Sequence, residues 1–190
     1  MTDRAGGATS SPEEATGATP SGRRSRGDSA GGIVLRFAAD DDAAGVMEIF
    51  NHYASAGFAA YTETPVPVGF YEALRRGTYA FRVLEDAGAI IGFGSVRPML
   101  PFPAFRRTGL LSYFIAPDYA GRGLGTRLLD RLADDACANG CTTLVANVSS
   151  RNVSSLAFHA ARGFAEVGRL RSVGVKFGEP FDLVWLQRDL

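Results

Sequence analysis

Ser112-Tyr113-Phe114-Ile115-Ala116-Pro117-Asp118-Tyr119-Ala120-Gly121-Arg122-Gly123-Leu124-Gly125-Thr126-Arg127 is the stretch that decides the fold. Its apolar run, Tyr113 to Ala116, stops at Pro117-Asp118, which predicts a strand and then a turn. Gly121, Gly123 and Gly125 alternate. Beyond them Leu124, Leu128, Leu129 and Leu132 recur at helical spacing as far as Asn139-Gly140, a good helix stop. The order is therefore strand, glycine-rich turn, helix. Such a joint presents unpaired backbone N–H groups at a helix N-terminus, where the helix dipole also favours anions. Glycine lets that backbone approach a phosphate with no side chain between. Arg122 and Arg127 add positive charge. The expected guest is a phosphorylated ligand.

Two common nucleotide motifs fail here on named residues. A P-loop needs a lysine after its last glycine, and the one lysine of the chain is Lys176. A dinucleotide fingerprint needs G-x-G-x-x-G and an acidic residue roughly 20 positions on. These glycines run G-x-G-x-G, and the next apolar run, Thr142 to Val148, carries Asn147 and is followed by Ser149. A glycine-rich loop with no ligand is the remaining alternative, although a plain turn does not need two arginines and three glycines.

The turn Ala120-Gly121-Arg122-Gly123-Leu124-Gly125 resembles the R/Q-x-x-G-x-G/A turn of the GCN5-related N-acetyltransferases, with Ala in the first position. Two further segments extend the resemblance. Asn152-Val153-Ser154-Ser155 with Phe158-His159-Ala160-Ala161-Arg162-Gly163-Phe164 is similar to the family's N-x-x-S and (Y/H)-x-x-x-G-F pattern. Val173-Gly174-Val175-Lys176-Phe177-Gly178-Glu179-Pro180-Phe181-Asp182 is similar to the V-G-x-K-F-G-x-x-x-D motif of the phosphinothricin N-acetyltransferase branch. The resemblance spans residues 33 to 190. It implies an α/β fold with a central, mixed, mostly antiparallel sheet, flanked by helices, whose two central strands splay apart. It implies acetyl-CoA as acetyl donor, held by Phe114, Ile115, Ala116, Gly121, Arg122, Gly123, Leu124, Gly125, Thr126, Asn147, Asn152 and Ser155. It also implies a primary amine acceptor, an amino acid or analogue.

Working outward, the 190 residues are 46% hydrophobic, enough for one domain with a substantial core. Residues 1–31 have no large apolar residue after Met1, so this tail is read as disordered and residues 32–190 as the folded domain. Formal net charge is zero, and the tail holds four acids and four bases, so the domain is balanced as well. A nucleic-acid binder usually carries a basic excess, which disfavours that class. No apolar stretch has signal-peptide or membrane-spanning length, so the expected setting is cytoplasmic, with no membrane partner. Cys137 and Cys141 lie four apart without a nearby histidine, and no metal site is expected.

Element by element, the pattern predicts a strand over 33–37 and a helix opened by Asp40-Asp41-Asp42. An extended segment follows over 57–67, then a second helix over 69–76. Strands over 79–85 and 90–96 form a hairpin, and the central strand covers 109–116. Helix 124–139, strand 142–148, helix 152–162 and strands 164–172 and 181–188 complete the chain. Hairpins and crossovers together imply a mixed sheet.

Asn152, Ser155 and His159 fall on one face of a helix. In the family a Tyr often stands where His159 stands and protonates the departing thiolate, and imidazole is able to do the same. The branch also places a Glu early in the central strand, in a T-x-E pattern, to help deprotonate the amine. Here the pattern reads Thr108-Gly109-Leu110, and leucine accepts no proton. Glu63, in the 57–67 segment that walls the family's acceptor pocket, is the nearest replacement, with Tyr61 and Tyr113 as pocket aromatics. The expected activity is N-acetylation of a small amine. A non-catalytic acyl-CoA-binding module, favoured by Leu110, and a protein N-acetyltransferase stay open. Only the resemblance suggests a homodimer.

Overall fold

The computed structural model describes residues 28–30 and 32–190. In chain order the elements are β1 (Asp28–Ala30), β2 (Ile33–Phe37), α1 (Ala43–Ser55), α2 (Phe70–Arg75), β3 (Ala80–Asp86), β4 (Ala89–Pro98), β5 (Thr108–Ile115), α3 (Leu124–Ala138), β6 (Thr143–Ser149), α4 (Val153–Ala160), β7 (Ala165–Lys176) and β8 (Glu179–Asp189). They form an 8-stranded sheet in the order β1-β2-β3-β4-β5-β6-β8-β7. Every neighbouring pair is antiparallel except β5–β6, which α3 joins as a crossover. The mixed, mostly antiparallel sheet expected from the sequence is present.

Each face of the sheet carries its own core. Leu128, Leu129, Leu132 and Ala136 of α3 pack with Leu111 of β5, Leu144 and Val148 of β6, and Val184 and Leu186 of β8. Val46, Ile49 and Phe50 of α1 pack on the opposite face with Phe81, Val83 and Phe93, and Phe114 joins them. The period of two along β5 thus assigns Leu111, Tyr113 and Ile115 to the α3 face, and Leu110, Ser112 and Phe114 to the α1 face. Gly94 lets α3 sit close: a Cβ there would lie 2.7 Å from Tyr113 Cβ and 2.9 Å from Leu132 Cδ1. Arg82 of β3 donates to the carboxylate of Asp135 on α3 at 2.8 and 2.7 Å, a buried pair that the sequence does not announce.

Two expectations change. Asp28–Ala30 lies inside the segment read as a disordered tail, yet it pairs with β2, from Asp28↔Leu35 to Ala30↔Ile33. Edge pairing uses backbone groups and needs no apolar side chains, which is why composition missed it. Residues 1–27 and residue 31 lie outside the described residues. The aspartate triplet forms a short 3₁₀ turn ahead of α1 and gives it no side-chain cap. The Asp42 carboxylate instead accepts two hydrogen bonds from Arg36, each 2.7 Å, and one from Ala39 N–H, also 2.7 Å.

The decisive local feature is a parting between β5 and β6. Their pairing runs through Thr108↔Thr143, Gly109↔Leu144 and Leu110↔Val145, and stops. Beyond it β5 stays with β4 as far as Ile115↔Gly92, and β6 stays with β8 as far as Ser149↔Leu183. The parting opens beside the glycine turn that starts α3.

Candidate active site

At the head of the parting, Gly123 caps α3 in the left-handed region, with φ +78°. The first helical bond is Arg127 N–H to Gly123 C=O, 3.2 Å, so the N–H groups of Leu124, Gly125 and Thr126 have no helical partner. Gly121, at φ +76°, is also left-handed, and a Cβ at Gly121 or Gly123 would meet no protein atom within 4 Å. Open space therefore lies in front of a backbone cradle suited to an anion. A cleft of about 460 Å³ begins there, walled by Tyr113, Phe114 and Ile115 of β5, by Gly121, Gly123, Gly125 and Thr126, and by Asn152 and Ser155 at α4. The cradle, the space before it and the absence of a P-loop lysine fit the pyrophosphate of acetyl-CoA.

Other residues expected at the cofactor sit differently. Leu124 is a core residue, 7% exposed, and offers only its backbone. Ala116 donates its N–H to Ile91 C=O at 2.8 Å, which turns its backbone toward β4 and away from the cleft. Arg122 donates to Asp118 C=O at 2.7 Å and lies over the Tyr119 ring. Arg127, expected to add positive charge near the turn, reaches back to Ile33 C=O at 3.0 Å. The sequence reading passed over Arg162, which walls the cleft with its guanidinium over Phe158.

The cleft continues between the strands into a smaller cavity of about 70 Å³, lined by Ser112, Tyr113, Asn147, Ser149, Asn152 and His159 among others. The Ala116–Ile91 bond fixes which residues of β5 face β4. By alternation, the backbone N–H and C=O of Tyr113 and Ile115 point into the parting. Tyr53 on α1 already donates to Ile115 C=O at 2.7 Å. The Tyr113 peptide remains without a strand partner on β6. Asn152 caps α4, its Oδ1 accepting from Ser155 N–H at 3.2 Å.

His159 is 3% exposed. Its Nδ1 lies 2.8 Å from Ser155 C=O, which assigns the imidazole proton to Nδ1. Nε2 then accepts from the Tyr113 hydroxyl at 2.9 Å. Burial holds His159 below the ordinary histidine pKa, partly opposed by the bond to Ser155 C=O, so the ring is neutral. Burial also raises the Tyr113 pKa. The sequence reading placed His159 as a proton donor facing the thiolate. Its Nε2 carries no proton and is covered by Tyr113. Tyr113, assigned to the acceptor pocket, belongs instead to the α3 face and the cofactor cleft. A stability effect follows. Between the lowered folded pKa and the unfolded value of about 6.5 the unfolded chain binds the extra proton. Acidifying from about pH 7.5 to about 5.5 should therefore lower the melting temperature. His159→Gln should flatten that slope in a pH series of thermal melts.

On the α1 face, the 57–67 segment is tied down at several points. Lys176, fully buried, donates to Ala60 C=O at 2.7 Å and Tyr53 C=O at 3.2 Å. Desolvation lowers its pKa, and Glu63 opposes that. Glu63 Oε1 accepts from Phe177 N–H at 2.8 Å. Glu63 walls neither cavity. The carboxylate expected as a base is thus a latch between the segment and the β7–β8 turn. Tyr61 stacks on Phe181 and donates to Asn147, C=O at 3.2 Å and Oδ1 at 3.1 Å, bridging the segment to β6. Although 46% of Tyr61 is exposed, its hydroxyl is desolvated and its pKa is pushed up to about 12. Thr62 adds a buried hydroxyl oxygen with no hydrogen-bond partner among the described residues. Lys176→Met should lower stability by about 1–3 kcal/mol, since it orphans two carbonyls. Denaturant unfolding of both proteins measures that loss.

Leu110, 8% exposed, stands on this face just below the parting, and neither cavity is lined by an acidic side chain. Among the described residues no group of three or more His, Cys, Asp or Glu is placed to hold a metal ion, and no helix is long and apolar enough to cross a membrane.

Comparison with known proteins gives a consistent result. The model of the acetyltransferase (GNAT) family matches residues 44–164. The chain is 34% identical over 162 residues to an L-amino acid N-acyltransferase of Escherichia coli, covering 83% of this chain and 94% of that protein. It is 35% identical over 163 residues to a phosphinothricin N-acetyltransferase of Alcaligenes faecalis, covering 83% and 82%. An acetyltransferase structure from Salmonella typhimurium, solved with its cofactor acetyl-CoA, superposes with a TM-score of 0.76 at 34% identity, covering 84% of this chain and 94% of that one.

Proposed function

The chain belongs to the acetyltransferase (GNAT) family, and from that premise we propose how its residues divide the work of N-acetylating an amino acid or amino-acid analogue. The parting of β5 from β6 under the α3 turn carries the reading, because it joins an anion cradle to a channel that ends at unpaired backbone. Acetyl-CoA supplies the activated acyl group as a thioester. The N–H groups of Leu124, Gly125 and Thr126 hold its pyrophosphate, and Asn147, Asn152 and Ser155 border the channel for the pantetheine arm. Tyr113 N–H, pointing into the parting, stabilises the oxyanion that forms as the amine attacks. In the resting site the single proton of the Tyr113 hydroxyl is donated to His159 Nε2, and it turns from Nε2 to the sulfur as the thiolate departs, so His159 acts through Tyr113 by positioning that hydroxyl beforehand.

The reaction moves one proton from amine nitrogen to thiol sulfur, so it consumes no base overall. An acceptor that arrives as ammonium must still lose a proton first. No side-chain carboxylate borders either cavity, so we assign that step to solvent and the latch to Glu63. On this assignment kcat/KM rises with pH as the amine deprotonates, and Glu63→Gln follows the same curve. A Glu63→Gln loss confined to pH below the amine pKa would restore Glu63 as the base.

We further place the protein in the cytoplasm as a homodimer, with neither nucleic acid nor membrane as partner. The charge balance supports the lack of a nucleic-acid partner. Val167, Leu170, Val173 and Val175, all at least half exposed on the edge strand β7, support pairing of two copies. The test of function is thiol release from acetyl-CoA against a panel of L-amino acids, phosphinothricin and simple amines. Release with amino acids is the expected result, and none with any amine would leave only an acyl-CoA-binding module.

A further inference from the structure

Among the side chains that wall the larger cleft, Arg162 is the one that carries a charge. The two arginines nearer the turn are engaged elsewhere, Arg122 with Asp118 C=O and Arg127 with Ile33 C=O. Arg162 follows α4 and is held by its backbone. Its N–H donates to His159 C=O at 2.9 Å, its C=O accepts from Arg188 at 3.2 Å, and Gly163 behind it is left-handed at φ +82°. The side chain is exposed and lies over the Phe158 ring, with 5.7 Å from guanidinium carbon to ring centroid. Among the described residues that guanidinium makes no hydrogen bond or ion pair. Phe158 also borders the cradle, since its ring edge lies 3.5 Å from where a Cβ on Gly125 would stand. One aromatic ring thus separates the backbone cradle from an uncommitted guanidinium in the same cleft.

We propose that Arg162 binds the 3′-phosphate of acetyl-CoA and thereby selects the acyl donor. The inference rests on the reading of the cleft as the acetyl-CoA site and adds the group that recognises the nucleotide end. Acetyl-CoA carries a pyrophosphate on the 5′ position of its ribose and a phosphate monoester on the 3′ position, so one sugar ring separates the two. The N–H groups of Leu124, Gly125 and Thr126 converge on a single anion and leave the second without a partner. A phosphate monoester carries about 1.5 to 2 negative charges at pH 7 and calls for a cation. A planar guanidinium takes phosphate oxygens through two parallel N–H bonds, which fixes orientation as well as affinity. No carboxylate lines the cleft to compete for it. The same contact separates donors by class. An acetyl group on the phosphopantetheine arm of a carrier protein brings a phosphodiester and no 3′-phosphate, and gains nothing from Arg162.

The test compares CoA with 3′-dephospho-CoA by isothermal calorimetry in wild type, Arg162→Gln and Arg162→Lys. Wild type should bind CoA about tenfold more tightly than the dephospho form. That preference should shrink as salt is raised, because the contact is exposed. Arg162→Gln should weaken CoA about tenfold and 3′-dephospho-CoA by about twofold or less, so that the preference disappears. Arg162→Lys should recover part of it, since it keeps the charge and loses the fork. The melting temperature without ligand should stay near wild type, because the guanidinium is exposed and holds no other element. Equal affinity of wild type for the two ligands would overturn the assignment. So would equal losses for both in Arg162→Gln, which would move the guanidinium to the pyrophosphate, or no loss for either. In each of those cases the cleft would still be the CoA site. Absence of wild-type binding to either ligand would overturn the reading of the cleft itself, and this inference with it.

Discussion

Gly123→Asp should abolish measurable acetyl-CoA binding, a loss of about a hundredfold or more. Two effects act in the same direction. The carboxylate would occupy the open space before the cradle, where the added atoms meet no protein but would meet a pyrophosphate of the same sign. The backbone there is left-handed at φ +78°, a region that costs an L-residue roughly 1–2 kcal/mol. Gly123→Ala separates the two, since it brings the backbone cost without the charge, and its loss should be much smaller. Isothermal calorimetry with acetyl-CoA measures both variants. The fold should survive, because the new side chain meets no neighbour. Unchanged affinity in Gly123→Asp would mean that the pyrophosphate lies elsewhere.

Tyr113→Phe should lower kcat about a hundredfold, the usual cost of removing one donor from a developing negative charge. KM for acetyl-CoA should move little, since the turn and α4 hold the cofactor. His159→Gln should cost less, because glutamine can still accept from the Tyr113 hydroxyl in the resting site, before that proton turns to the thiolate. This order reverses the one implied by family resemblance, in which the residue at His159 donates the proton itself. The geometry behind the reversal is specific: Nδ1 is committed to Ser155 C=O at 2.8 Å, and burial keeps the ring neutral. Single-turnover kinetics of the two variants decide the matter. A larger loss in His159→Gln than in Tyr113→Phe would return the donor role to the imidazole.

The residues that signal local backbone chemistry were legible in the sequence. Gly121, Gly123 and Gly125 after a stopped strand announced the cradle, and Leu124 to Leu132 announced the helix behind it, because both signals are read within one turn of chain. Strand β2 and the hairpin of β3 with β4 were also readable from period and turn chemistry. What depended on distant partners was not. Whether Tyr113 points to the acceptor or to α4 is a matter of strand parity against helices on either side, and the chain alone does not say which helix lies where. Arg127 counts in the sequence only as positive charge near the turn, and that it reaches Ile33 on β2 has no local signal. Glu63 and Lys176 lie more than a hundred residues apart in sequence and secure the same segment, a pairing with no local signature. Leu110 was read as a missing base. The ladder register adds what the sequence did not contain, namely that Arg97 is its cross-strand neighbour.

The central claim is that this chain moves an acetyl group directly from acetyl-CoA, held in the β5–β6 parting, to an amino acid. The most direct measurement incubates the protein with L-methionine and acetyl-CoA carrying an isotopically labelled acetyl group, and follows the label by mass spectrometry in product and protein together. The account predicts labelled N-acetylmethionine in equal amount to free CoA thiol, with no label on the protein at any time. Tight binding of acetyl-CoA with no labelled product, or label that accumulates on a protein side chain, would contradict it.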